Sequence, residues 1–124
     1  MSLFDWLLIG HMIGDFLIQT DDMAKNKPQR WPPLLGHVGL YMVFITPIVI
    51  IYALTHSLPL WLVVAALLFL SGTHVILDRR DFTARWMRFV GMSPDRLLLS
   101  MIVDQVFHLL SLAIVAQVLV LVSG

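Results

Sequence analysis

Apolar residues in this chain are gathered into four long stretches separated by three short polar connections. The stretches cover about 3–20, 34–55, 58–78 and 97–122. A helix that crosses the hydrocarbon core of a bilayer needs about 20 residues at 1.5 Å rise each. The first stretch is at the short end of that range and the last is long enough to tilt. Pro47 lies inside the second, where a kink is tolerated because neighbouring helices re-satisfy the freed carbonyl. The pattern predicts an all-α integral membrane bundle of about four transmembrane helices, forming a single domain over 1–124.

The connections differ in character. Residues 20–33 are polar and end on Pro32-Pro33, a helix stop followed by a restart. Residues 55–57 form a tight uncharged turn before Pro59. In 79–96, Phe82, Trp86, Phe89 and Val90 recur at helical spacing while Arg85 and Arg88 lie elsewhere. That pattern predicts an amphipathic helix over about 80–90, lying in the membrane interface. Gly91 marks its end, and Ser93-Pro94-Asp95 reads as the cap of the last helix.

Composition strengthens the membrane reading. The chain is 59% hydrophobic and 13% charged, against roughly 25% charged for an average soluble protein. A soluble domain of this size could not hide so much apolar surface from water. Net charge is zero, which gives no footprint for nucleic acid. There is no Cys, so disulfides, thiolate ligands and a Cys nucleophile are excluded. The N-terminus lacks a basic leader and carries Asp5, His11 and Asp15 in its apolar run, so it reads as a retained helix rather than a signal peptide.

Orientation follows from the basic residues. Lys25, Lys27 and Arg30 lie in the first connection, and Arg79, Arg80, Arg85, Arg88 and Arg96 in the third. Short loops rich in Lys and Arg stay in the cytoplasm. Both termini are therefore expected on the outer side, periplasmic or extracellular.

Polar residues within the stretches form a pattern of their own. The first holds His11, Asp15 and Gln19, the second His37 and Tyr41, the third Ser71, His74 and Asp78, and the fourth Ser100, Asp104, Gln105, His108 and Ser111. Asp22 rejoins the first stripe if that helix continues. In an up-down-up-down bundle these residues share one level, from the cytoplasmic interface to about three turns inside. An ionised residue at a helix centre costs about 2.5–3.5 kcal/mol on insertion scales, so the carboxylates should face one another rather than lipid. His and Asp recur four apart, as His11/Asp15, His74/Asp78 and Asp104/His108, and such side chains are neighbours on a helix.

That geometry supplies two ligands to one metal, or a ligand and the carboxylate that orients it. Imidazole and carboxylate without thiolate suit a divalent metal, Zn or Mn above all. His11, His74, His108, Asp15, Asp78 and Asp104 are the candidate ligands, and Asp15, Asp78 and Asp104 the candidate catalytic residues. Gln19, His37, Tyr41 and Gln105 are candidate substrate-binding or orienting residues. A catalytic Zn site uses three protein ligands, so this set implies either two metals or some Asp acting behind the ligands. The alternative is polar glue between helices. Asp5 is expected to cap the first helix, His56 to sit idle in the second connection, and Ser71, Ser100 and Ser111 to pack as small residues.

The run His11-Met12-Ile13-Gly14-Asp15-Phe16-Leu17-Ile18-Gln19-Thr20, followed by Met23-Ala24 and Lys27, resembles the opening of a bacterial domain-of-unknown-function family of small membrane proteins. His37, His74-x-x-x-Asp78 and Asp104-Gln105-x-x-His108 are similar to its other signatures, in the same order. A Lys often follows the His-x-x-x-Asp element in that family, where this chain has Arg79-Arg80-Asp81. The resemblance implies a bacterial inner membrane and a site in the polar cluster, and assigns no activity.

The leading functional expectation is a metal site opening to the cytoplasmic interface, hydrolytic toward a lipid or other amphipathic substrate. The metal would lower the pKa of bound water and an Asp would act as general base. The other readings are a proton- or cation-coupled transport component and a non-catalytic accessory membrane subunit. The expected partners are the lipid bilayer and a lipid-like substrate, with a homo-oligomer left open.

Overall fold

The structure, a computed structural model, describes residues 1–18, 20–79 and 81–124, without the side chains of residues 22–24. The described residues form helices joined by short turns, with no strand. Helix α1 (Leu3–Met12) runs into a π-helical turn (Ile13–Leu17), followed by α2 (Asp21–Asn26), α3 (Trp31–Thr55), α4 (Leu60–Asp78), α5 (Asp81–Phe89) and α6 (Leu97–Ser123).

Three of these helices, α3, α4 and α6, are long and apolar enough to cross a membrane, with mean hydropathy of 2.2, 2.2 and 2.4. No more than a third of each apolar window is buried within the protein. Leu54, Leu60, Leu68, Leu98 and Leu121 are among the large side chains left outside, which suits a surface solvated by lipid tails. Four spanning helices were expected, and the first stretch is the exception. Its α-helical part is ten residues long and its π turn five, after which Ile18 leaves helical geometry. At 1.5 Å per residue this is shorter than the roughly 30 Å hydrocarbon core.

Local chemistry accounts for the helix ends. Ser2 and Asp5 form a reciprocal capping box at the start of α1, satisfying two of its orphan donors. Helix α3 begins at Trp31, with Pro32 and Pro33 in its first turn, where a missing N–H costs nothing. It continues past Pro47 to Thr55, and Ser57 then takes a left-handed φ of 54° that turns the chain into Pro59 and α4. Ser93 and Asp95 do not cap α6. The Arg96 N–H bonds the Ser93 carbonyl, which closes a turn and leaves Arg96 at the N-cap without a side-chain hydrogen bond.

Helix α1 packs against α3 and α6, and α4 also packs against α3 and α6, so the contacts close into a ring. Small residues set the closest approach. A Cβ on Gly10 would lie 2.9 Å from Ile48 Cδ1, and one on Gly14 would lie 2.8 Å from Tyr41 Cδ2 and 3.0 Å from Tyr41 Cα. Gly10 and Gly14 thus bring the α1 backbone against α3, as small residues four apart do in membrane helices. Helix α5 packs on α4 and α6. It buries Thr83 and Met87 and leaves Phe82, Trp86 and Phe89 exposed, and Val90 just beyond its end is exposed too.

The interior is one stripe per helix with two chemistries. The buried positions run Leu7-His11-Asp15 on α1 and its π turn, and His37-Tyr41-Ile45-Val49-Ala53 on α3. They run Ala66-Leu70-His74-Asp78 on α4 and Ser100-Asp104-His108-Leu112-Ala116 on α6. Steps of four keep each stripe on one face. Each stripe is apolar toward the end with Leu3, Ala53, Leu62 and Leu119, and polar toward the end with the basic connections.

Candidate metal centre

His11, Asp15, His37, Tyr41, His74, Asp78, Asp104 and His108 are each 4% exposed or less. They come from every element of the ring, and all are buried in its interior. Gln105 is half-buried beside them. Gln19 and Arg80 lie outside the described residues, as does the side chain of Asp22.

Four side chains converge most tightly. His37 Nε2 lies 3.0 Å from Asp15 Oδ1, 3.0 Å from His74 Nε2 and 3.0 Å from Asp78 Oδ2. His74 Nε2 lies 3.2 Å from Asp15 Oδ1 and 2.9 Å from Asp78 Oδ2. The ligand atoms of all four residues stand within 4.8 Å of one another. A neutral imidazole nitrogen carries one proton or one lone pair, so His37 Nε2 cannot satisfy three neighbours at 3.0 Å by hydrogen bonding. Asp78 Oδ2 is buried and makes no hydrogen bond of acceptable geometry. Donor atoms aimed at a common centre are the arrangement a cation would satisfy, and these buried His and Asp groups lie within metal-binding distance.

His11 stands outside this group, and both of its ring nitrogens are engaged. Nε2 lies 2.8 Å from Gln105 Oε1, and Gln105 Nε2 donates to Asp15 Oδ2 at 3.3 Å. A carboxylate only accepts, so the Gln105 amine faces Asp15 and its carbonyl accepts from His11. Neutral His11 then receives the Tyr41 hydroxyl proton at Nδ1, across 3.1 Å. The relay Tyr41–His11–Gln105–Asp15 orients one carboxylate of the central group. Asp15 reaches that group from the π turn, a helical irregularity often found at functional sites.

A second group adjoins the first. Asp78, Asp104 and His108 each offer a ligand atom within 4.8 Å of the other two. His108 Nδ1 lies 2.8 Å from the Asp104 carbonyl oxygen, and His108 Nε2 lies 3.3 Å from Asp78 Oδ1. The expected ligands Asp15, His74, Asp78, Asp104 and His108 therefore fall into two groups that share Asp78, with His11 in neither.

His37, expected among the orienting residues of this cluster, belongs to the central group. Two contributions were not anticipated. Lys27 Nζ lies buried 3.7 Å from Asp78 Oδ2, and its place in the opening motif was the available signal. Thr83 Oγ1 donates to Asp104 Oδ1 at 3.4 Å. Its spacing of four from Met87, beside the exposed aromatic face of α5, could have marked it. Arg79 stacks over Trp31 at 4.7 Å, a cation–π contact at the rim of the cluster. Asp5 is occupied with Ser2, and His56 stacks on Tyr52 at the opposite end of α3. Ser71 and Ser111 bond carbonyls of their own helices.

Comparison with curated proteins and with solved structures gives no match. The model of one family, described as protein of unknown function (DUF3307), matches residues 3–124. His11, Asp15, His37, His74, Asp78, Asp104 and His108 all lie in that span, and the chain belongs to the DUF3307 family.

Proposed function

We propose that this is a multi-pass inner-membrane protein that holds a divalent cation, Zn or Mn, between Asp15, His37, His74 and Asp78. The observation that carries the reading is the convergence of four buried ligand atoms from three elements. A tetrahedral ion with bonds of about 2.0–2.1 Å requires ligand atoms roughly 3.3 Å apart, close to the five separations of 2.9–3.2 Å found here. Two carboxylates and two imidazoles without thiolate suit a borderline or hard cation. Interhelical hydrogen bonding alone leaves without a cause the crowding at His37 Nε2 and an Asp78 Oδ2 that accepts no hydrogen bond.

In this reading α1 and its π turn complete a four-helix bundle with α3, α4 and α6. The polar end faces the cytoplasm with its Lys and Arg, and both termini face outward. Helix α5 lies in the interface, its exposed Phe82, Trp86 and Phe89 among the headgroups. The cluster then sits at headgroup depth, which favours a hydrolase acting on a lipid-like or other amphipathic substrate. A cation of this cluster that keeps a coordination position open would polarise the scissile group and activate water. Asp15 or Asp104 would accept the proton, Tyr41, His11 and Gln105 would hold Asp15 in register, and Gln19 would contact substrate. A transport role is less well supported, because the polar stripe ends at Ile45, Leu70 and Leu112 in an apolar core.

The test is the metal content of the full chain, purified in detergent without chelator. At least one Zn or Mn per chain is expected. His74→Ala should remove it, whereas His56→Ala should not. A wild-type protein that takes up neither ion would overturn the proposal. Hydrolysis is tested separately, by metal-dependent headgroup release from mixed phospholipid micelles that is lost in Asp15→Asn.

A further inference from the structure

The central group does not exhaust the buried donors. Asp78 divides its carboxylate between two neighbourhoods. Oδ2 faces His37 and His74 at 3.0 and 2.9 Å, while Oδ1 faces His108 Nε2 at 3.3 Å. The state of His108 follows from its other nitrogen. Nδ1 lies 2.8 Å from the Asp104 backbone carbonyl, which can only accept, so the proton of the neutral ring is on Nδ1. Nε2 then carries a lone pair, and it points at another acceptor.

His108 Nε2 is fully shielded and has no hydrogen-bond partner. The 3.3 Å contact with Asp78 Oδ1 is not a hydrogen bond, so a proton on Nε2 would go unbonded. Two acceptors facing each other in a low-dielectric interior repel unless a cation lies between them. An imidazole that gives its Nδ1–H to a backbone carbonyl and presents Nε2 is held as a metal-ligating His is held. Asp104 is the third donor of this group, itself steadied through Oδ1 by Thr83.

We infer that Asp78 bridges two divalent cations, the second held by Asp78 Oδ1, His108 and Asp104. This inference rests on the metal reading of the first group. Paired ions of this kind sit about 3.5–4 Å apart, a spacing that one bridging carboxylate can span. The two positions are not equivalent. Four protein donors close the first, whereas three protein donors at the second leave a coordination position for water or substrate. The first ion is then the structural member of the pair and the second the reactive one. Two divalent ions against Asp15, Asp78 and Asp104 leave one net positive charge, with Lys27 beside them. The substrate that fits is an anionic one, such as a phosphate ester on an amphipathic carrier.

The deciding experiment loads the full chain with Mn²⁺ in detergent micelles and reads stoichiometry by elemental analysis and coupling by electron paramagnetic resonance. The expected result is two Mn per chain with a spin-coupled spectrum. His108→Gln and Asp104→Asn should each leave one Mn with the spectrum of an isolated ion. One Mn per wild-type chain, uncoupled and retained in both variants, would overturn the second position and leave the first standing. A wild-type chain that binds neither Mn²⁺ nor Zn²⁺ would overturn both. If either variant fails to fold, wild-type stoichiometry and coupling decide alone.

Discussion

Replacing Gly14 by Ala tests whether backbone contact between the π turn and α3 is what delivers Asp15 to the centre. The added Cβ would lie 2.8 Å from Tyr41 Cδ2, 3.0 Å from Tyr41 Cα and 3.4 Å from Tyr41 Cβ. The ring edge can swing away, but the Cα belongs to α3 and cannot. The two backbones must separate by a few tenths of an ångström. Overpacking of this kind costs typically about 1–3 kcal/mol. Part of that cost is the Tyr41–His11 hydrogen bond, worth about 0.5–1.5 kcal/mol net.

The same displacement moves Asp15 away from His37 and His74, so metal affinity should fall by about 10–100-fold, as when an orienting group is lost. Thermal unfolding in detergent and a Zn²⁺ competition titration measure the two effects. Gly39→Ala is the control, because a Cβ there meets nothing within 4 Å. Helix propensity alone should make it neutral or stabilising by up to about 1 kcal/mol. Unchanged stability and unchanged affinity in Gly14→Ala, with the fold intact, would refute the close-approach account.

Tyr41→Phe keeps the ring stacked on His74 but removes the proton given to His11; it should cost about 0.5–1.5 kcal/mol and weaken metal binding without changing stoichiometry. Lys27→Gln removes a competing cation 3.7 Å from Asp78 Oδ2, so Zn²⁺ affinity should rise roughly fivefold or more at low salt; a weaker affinity would show that Lys27 supports the ion rather than competing with it. Reporter fusions at residue 57 and at Gly124 should both read the outer compartment and one at residue 92 the cytoplasm, and a cytoplasmic C-terminus would reverse the assigned orientation.

Much of this protein is legible in its sequence because membrane insertion is decided locally. Whether a segment partitions into lipid depends on its own length and hydropathy, which is why α3, α4 and α6 can be read directly. Amphipathic α5 is equally local, since its aromatic spacing is a property of nine residues. The polar stripes could be read too, because steps of four put His11 with Asp15 and His74 with Asp78 on any helix.

Tertiary structure decided which of those residues meet, and on what terms. The first stretch gave up its last α-helical turn to a π turn where Gly14 touches Tyr41, a contact between residues 27 positions apart that no local rule contains. That contact placed His11 among hydrogen-bond partners that occupy both its nitrogens, and left His37, expected only to orient, with its Nε2 3.0 Å from three other ligand atoms. Asp78 became shared because α4 lies between α3 and α6, so its two oxygens look toward different neighbours. Spacing along a helix specifies a direction for a side chain. The distance from a donor atom to its partner depends on how closely the helices approach, and only the packed structure determines that.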